Sequence, residues 1–88
     1  MAERRVSVAD PDGLHARPAA LFVKAVGASG VAVRVAKATG DSVDARSILG
    51  VLSLDIRQGD EVVLTADGEG ADAALDGLAA MLGGDRNG

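Results

Sequence analysis

Apolar and polar positions change their spacing several times along the chain, and each change marks an element. Arg5-Val6-Ser7-Val8 alternates with period two, which predicts a first half-buried strand. From Ala16 to Val26 the period lengthens. Ala19, Phe22, Val23 and Val26 recur at helical spacing and define a core face, and the segment Gly27 to Gly30 is expected to end the helix. Val31 to Ala36 returns to period two, with Val31, Val33 and Val35 on one face. Ala38-Thr39-Gly40-Asp41 then turns the chain into a short strand at Ser42-Val43-Asp44, giving a hairpin. Ser47 to Leu54 predicts a short helix with Ser47 as its N-cap, and Val51 and Leu54 facing inward. Arg57-Gln58-Gly59-Asp60 is a turn, and Glu61 to Ala66 is the last strand. A final helix over Ala71 to Leu82 shows the stripe Ala71, Ala74, Leu75, Leu78 and Leu82, stopped by Gly83-Gly84. Asp85-Arg86-Asn87-Gly88 is expected to be a frayed tail.

The order is βαββαβα. Each strand offers one apolar face and each helix one apolar stripe, which calls for an α+β fold: a single sheet with helices on one side and the other side wet. The 88 residues are expected to form one domain, with an ordered core over about residues 3–82. At this length folding removes only roughly two-thirds of the surface of the unfolded chain, so the core is thin.

Composition narrows the chemistry. With no cysteine and one histidine, a disulfide framework, a zinc site and a Cys–His nucleophile pair are all unavailable, and no metal or cofactor is expected. Nine basic against thirteen acidic residues give a net charge of −4, and the single aromatic, Phe22, offers no stacking platform, so nucleic acid is not expected as a partner. Met1-Ala2-Glu3-Arg4-Arg5 runs straight into a strand without the pattern of a signal peptide, and no apolar run reaches membrane-span length. A cytoplasmic protein without membrane insertion is the expectation.

The one histidine stands at a junction. Asp10-Pro11-Asp12-Gly13 has the composition of a turn, and Pro18 falls in the first helical turn, where its missing N–H costs nothing. His15 is thereby placed at or beside the N-cap, facing unpaired backbone N–H groups and the positive end of the helix dipole, a setting that suits phosphate. Arg17 adds a planar cation fit for bidentate contact with phosphate oxygens. Position alone is weak ground, because histidine is not a preferred N-cap and a lone histidine is more often an incidental surface residue. Two further features point outward. Arg17, Ala20, Leu21 and Lys24 lie opposite the core stripe of their helix, and Ile48, Leu49 and Leu52 form an apolar group that a two-turn helix does not need for folding.

The stretch Gly13-Leu14-His15-Ala16-Arg17-Pro18-Ala19-Ala20 resembles the signature of the histidine-containing phosphocarrier (HPr) family of the bacterial sugar phosphotransferase system, whose hallmark is Gly-[Leu/Ile]-His-Ala-Arg-Pro-Ala. A second stretch, Val43 to Leu54, is similar to the regulatory-serine segment of the family; Arg46-Ser47-Ile48-Leu49-Gly50 stands where the family has Lys-Ser-Ile-Met-Gly. The likeness runs from about Glu3 to Leu82.

The resemblance implies an open-faced β-sandwich with a four-stranded antiparallel sheet and three helices on one face. It implies that His15 accepts a phosphoryl group on Nδ1 from enzyme I, itself charged by phosphoenolpyruvate, and passes it to sugar-specific IIA components for sugar uptake. Arg17 and the backbone N–H groups of Ala16 and Arg17 would hold the phosphate, and Ala20, Leu21, Lys24, Ile48, Leu49 and Leu52 would form the docking patch. Such a protein is a stoichiometric transfer intermediate rather than an autonomous enzyme, and a monomer is expected. Ser47 would be the target of an HPr kinase/phosphorylase where one exists, and a transcriptional regulator would be a further partner. Two other readings remain open at this point: a nitrogen-branch carrier of the same family, and a non-catalytic binding regulator, which would typically lack the histidine.

Overall fold

The structure, a computed structural model, describes residues 1–84. The expected tail at 85–88 lies outside the described residues. Seven elements follow in order: β1 (Ala2–Ser7), α1 (Ala16–Ser29), β2 (Val33–Lys37), β3 (Val43–Asp44), α2 (Ile48–Ser53), β4 (Glu61–Ala66) and α3 (Ala71–Gly83). The strands form one antiparallel sheet in the order β1-β4-β2-β3, and the three helices cover one of its faces, as expected. The last strand to form in sequence thus sits in the interior of the sheet. Val62, Leu64 and Ala66 of β4 point into the core, where they meet Val33 and Val35 of β2, Phe22 and Val26 of α1, and Leu75, Leu78 and Leu82 of α3.

Where element boundaries differ from the sequence pattern, a tertiary pairing or a local capping contact decides them. β1 begins at Ala2, not at Arg5, because Ala2 pairs with Ala66 and the whole strand lies along β4. Arg4 therefore occupies a core-side position. Its Nε donates to Asp76 Oδ1 at 2.7 Å and its Nη2 to Asp72 Oδ1 at 3.2 Å, which ties β1 to α3 and keeps the guanidinium charged. Val8 has left the ladder, yet is buried and donates its N–H to Asp60 O. α1 continues past Gly27 to Ser29 and ends on Gly30, whose φ of 72° is the left-handed C-cap conformation. Val31 belongs to that ending and not to β2, since its N–H is taken by Ser29 Oγ. Val23 and Leu54, expected in the core, are half-buried at its edge.

α2 shows local sequence signals at work. Ser47 is extended, with φ −93° and ψ 111°, and its Oγ accepts the N–H of Gly50 at 3.0 Å. Helix α2 has only six residues, so this cap is a large share of its local stabilisation. Ser47→Ala is expected to lower unfolding free energy by about 1 kcal/mol, read in urea denaturation; Ser47→Asp, which keeps an acceptor, should lose less.

Three aspartates with depressed pKa set the acid response. Asp60 is held below the ordinary 3.8 chiefly by the backbone N–H of Arg57 and also by Lys37; Asp44 chiefly by the N–H of Arg46; Asp55 chiefly by the guanidinium of Arg57. Folding favours the charged form at each, so their contribution is complete above about pH 3.8 and is lost as pH falls below it, through the lowered folded values. The urea midpoint should therefore fall as the pH drops below about 4, and Asp60→Asn should flatten part of the decline.

Candidate functional site

The segment before α1 is held from beneath by a second, distant segment. Leu14 is buried and donates its N–H to Ile56 O at 2.9 Å, and Ile56 is itself buried. One residue earlier, Gly13 has φ +66° and is buried; a Cβ there would run into Ile56 O and lie 2.8 Å from Arg57 Cα. Asp12 N–H donates to Asp10 Oδ1 and Gly13 N–H to Asp10 O, which closes the preceding turn. The chain is thus anchored on both sides of Leu14 before it reaches His15.

His15 precedes the helix in an extended conformation, φ −127° and ψ 162°, as an N-cap whose side chain makes no capping bond. The ring is 39% exposed, and its Nε2 lies 3.2 Å from Asp55 Oδ1. The next residue, Ala16, takes φ 49°. A left-handed alanine costs on the order of 1–2 kcal/mol and persists only where its surroundings impose it. A left-handed residue beside a right-handed helical one also gathers successive N–H groups into a concavity that suits anions. Pro18 has no N–H, and the first intrahelical bond, Ala19 N–H to His15 O, is long at 3.5 Å. Among the described residues, the N–H groups of Ala16 and Arg17 have no hydrogen-bond partner. The Arg17 side chain is exposed and makes no ion pair or hydrogen bond among the described residues.

The other residues singled out by sequence divide by burial. Ala20, Leu21 and Lys24 are exposed on α1, and Ile48 and Leu49 on α2, with Leu49 76% exposed. α1 and α2 pack against each other, which brings these two groups onto neighbouring elements of the helical side. Leu52 is half-buried against the core. Ser47 is exposed and its hydroxyl caps α2. Asp55, which carried no motif signal, is the site residue that sequence reasoning missed. Among the described residues no group of three His, Cys, Asp or Glu is placed to hold a metal ion, and no helix is long and apolar enough to cross a membrane.

An open-faced α+β sandwich that presents a half-exposed imidazole at the opening of its first helix is the architecture of a histidine phosphocarrier. Residues 2–83 match the family described as the PTS HPr component phosphorylation site. The phosphocarrier protein HPr of Streptomyces coelicolor is 55% identical over 82 residues, covering 93% of this chain and 88% of that one. The crystal structure of an HPr from Bacillus anthracis superposes with a TM-score of 0.87 at 40% identity, over 92% of this chain and 95% of the other. The catabolite-repression protein Crh of Bacillus subtilis, solved as a domain-swapped dimer, gives a TM-score of 0.71 at 43% identity, with 93% of each chain covered. The chain belongs to the HPr phosphocarrier family of the phosphotransferase system.

Proposed function

We propose that His15 takes a phosphoryl group from enzyme I, charged by phosphoenolpyruvate, and hands it to IIA components in sugar uptake. The observation that carries this reading is the half-exposed ring beside unpartnered N–H groups at Ala16 and Arg17 and an uncommitted Arg17 guanidinium. A carrier must stabilise phosphate enough to be charged and little enough to be discharged. A shallow site with two amides and one flexible cation meets that need better than a closed cage. The exposed apolar residues Leu21, Ile48 and Leu49, with Ala20, Leu52 and Lys24, support a small, transient docking surface beside the ring. The residues of this site all belong to one chain, so a monomer suffices. Sedimentation at working concentration distinguishes it from a swapped dimer of the kind seen for Crh.

Ser47 supports a second, regulatory reading. Its hydroxyl is exposed beside Ile48 and Leu49, and a phosphate there would place about −1.5 to −2 charges within the docking patch. A purified HPr kinase with ATP should then label wild type and not Ser47→Ala.

Incubation with enzyme I, magnesium and phosphoenolpyruvate should introduce one acid-labile, alkali-stable phosphate per chain, and His15→Ala should take up none while keeping the wild-type fold by circular dichroism. Label on His15→Ala would move the site elsewhere. Failure of wild type with a competent enzyme I would favour the binding-regulator reading, and selective charging by a nitrogen-branch enzyme I would favour that branch.

A further inference from the structure

Two segments about forty residues apart in sequence run past each other at the site: Gly13 abuts the backbone of Arg57, Leu14 bonds Ile56, and His15 faces Asp55. The pairing of His15 with Asp55 thus follows from a backbone register fixed by two buried residues, not from a chance meeting of surface side chains. Asp55 takes φ 51°, a conformation that Asp tolerates better than most residues, and its N–H donates to Leu52 O just beyond the end of α2. Its two carboxylate oxygens are divided. Oδ2 accepts from Arg57 Nη2 at 3.0 Å, and Oδ1 lies 3.2 Å from His15 Nε2.

We propose that Asp55 is a positioning residue for phosphoryl transfer: it holds the proton of the neutral His15 ring on Nε2, leaves the lone pair on Nδ1, and offsets the charge that the ring acquires when Nδ1 is phosphorylated. This rests on the phosphocarrier reading. The electron balance shows why a carboxylate at Nε2 matters. The Nδ1 lone pair forms the new N–P bond while the bond from phosphorus to the donor breaks, its electron pair leaving with the donor. Nδ1 has no proton to release in this tautomer, so the ring becomes an imidazolium bearing phosphate on Nδ1 and hydrogen on Nε2. The positive charge appears on the ring during the step and is removed when the phosphoryl group departs. A carboxylate 3.2 Å from Nε2 stabilises the charged product and the transition state leading to it more than it stabilises the neutral ring. The Arg57 guanidinium, with smaller effects from His15 and Lys37, keeps the Asp55 carboxyl below the usual carboxylate range, so the group is ionised when needed.

The test compares wild type with Asp55→Asn, Asp55→Gly and Asp55→Glu. Asn and Gly both accept a left-handed backbone, and the ion pairs they lose are exposed, so these variants should fold, with thermal midpoints close to wild type. The ring tautomer is read first, from the 15N shifts of unphosphorylated His15. Wild type should show hydrogen predominantly on Nε2, and Asp55→Asn and Asp55→Gly a more even mixture. With enzyme I and phosphoenolpyruvate, kcat for charging should fall about tenfold, the size of one pKa unit of differential interaction, with KM unchanged because the docking residues are untouched. Asp55→Glu should recover part of both. Unaltered tautomer populations together with unaltered charging rates in Asp55→Asn and Asp55→Gly would overturn the inference. Should wild type itself not be charged, the phosphocarrier reading fails, whereas the tautomer comparison still decides what Asp55 does to the ring.

Discussion

Gly13→Ala is expected to lose about 3 kcal/mol of stability, which for a domain of this size lowers the thermal midpoint by roughly 15 °C. Two effects add. The residue has φ +66°, where a Cβ is disfavoured by about 1–2 kcal/mol, and its Cβ would be driven into backbone, Ile56 O and Arg57 Cα, which cannot rotate away as a side chain would. The only relief is to separate the segment 13–15 from the segment 55–57. That movement breaks the Leu14–Ile56 bond and takes His15 away from Asp55. Charging by enzyme I should therefore fall even at temperatures where the variant is folded. Thermal and urea denaturation measure the first effect, and a variant as stable as wild type would mean that the two segments are not in contact.

Arg17→Ala should do the reverse, sparing the fold and slowing the chemistry. The side chain is exposed and bonds nothing among the described residues, so the change in stability should stay within about 0.5 kcal/mol. Removing a charged donor aimed at developing charge typically costs on the order of a hundredfold in rate. We expect that size of loss in transfer from enzyme I and again in transfer to a IIA acceptor. Arg17→Lys should recover part of it, since an ammonium supplies charge but not the planar two-pronged contact. Rapid-quench measurement of both half-reactions reads the effect. A rate close to wild type, or a marked loss of stability, would refute the placement of Arg17 on the phosphate.

What could be read from the chain before folding it divides along the distance over which each signal acts. His15 before a helix with Pro18 in its first turn, Ser47 capping the next, and the alternation of Val33 and Val35 in β2 are local patterns, and the structure places them as expected. Leu14, Ala45 and Ile56 are buried single apolar residues in connecting segments, with no periodicity to announce them. Arg4 occupies a core-side strand position because Asp72 and Asp76, about seventy residues later, meet it on α3. A charged residue at an apolar position reads as the absence of a strand until its partners are known. Asp55 is the functional instance of the same limitation: nothing in Leu54-Asp55-Ile56 marks it, and its meeting with His15 depends on the contact between two loops. The left-handed Ala16 was equally hidden, since alanine carries no preference for that conformation.

The phosphocarrier reading turns on where the phosphate goes. Wild-type protein, uniformly labelled with 15N and charged by enzyme I and phosphoenolpyruvate, should show in alkaline 31P and 15N spectra a single phosphoramidate with phosphorus coupled to Nδ1 of His15, and the nearby amides of Ala16 and Arg17 should shift on charging. Phosphorus on another residue, or a phosphorylated His15 whose neighbouring amides do not respond, would contradict it.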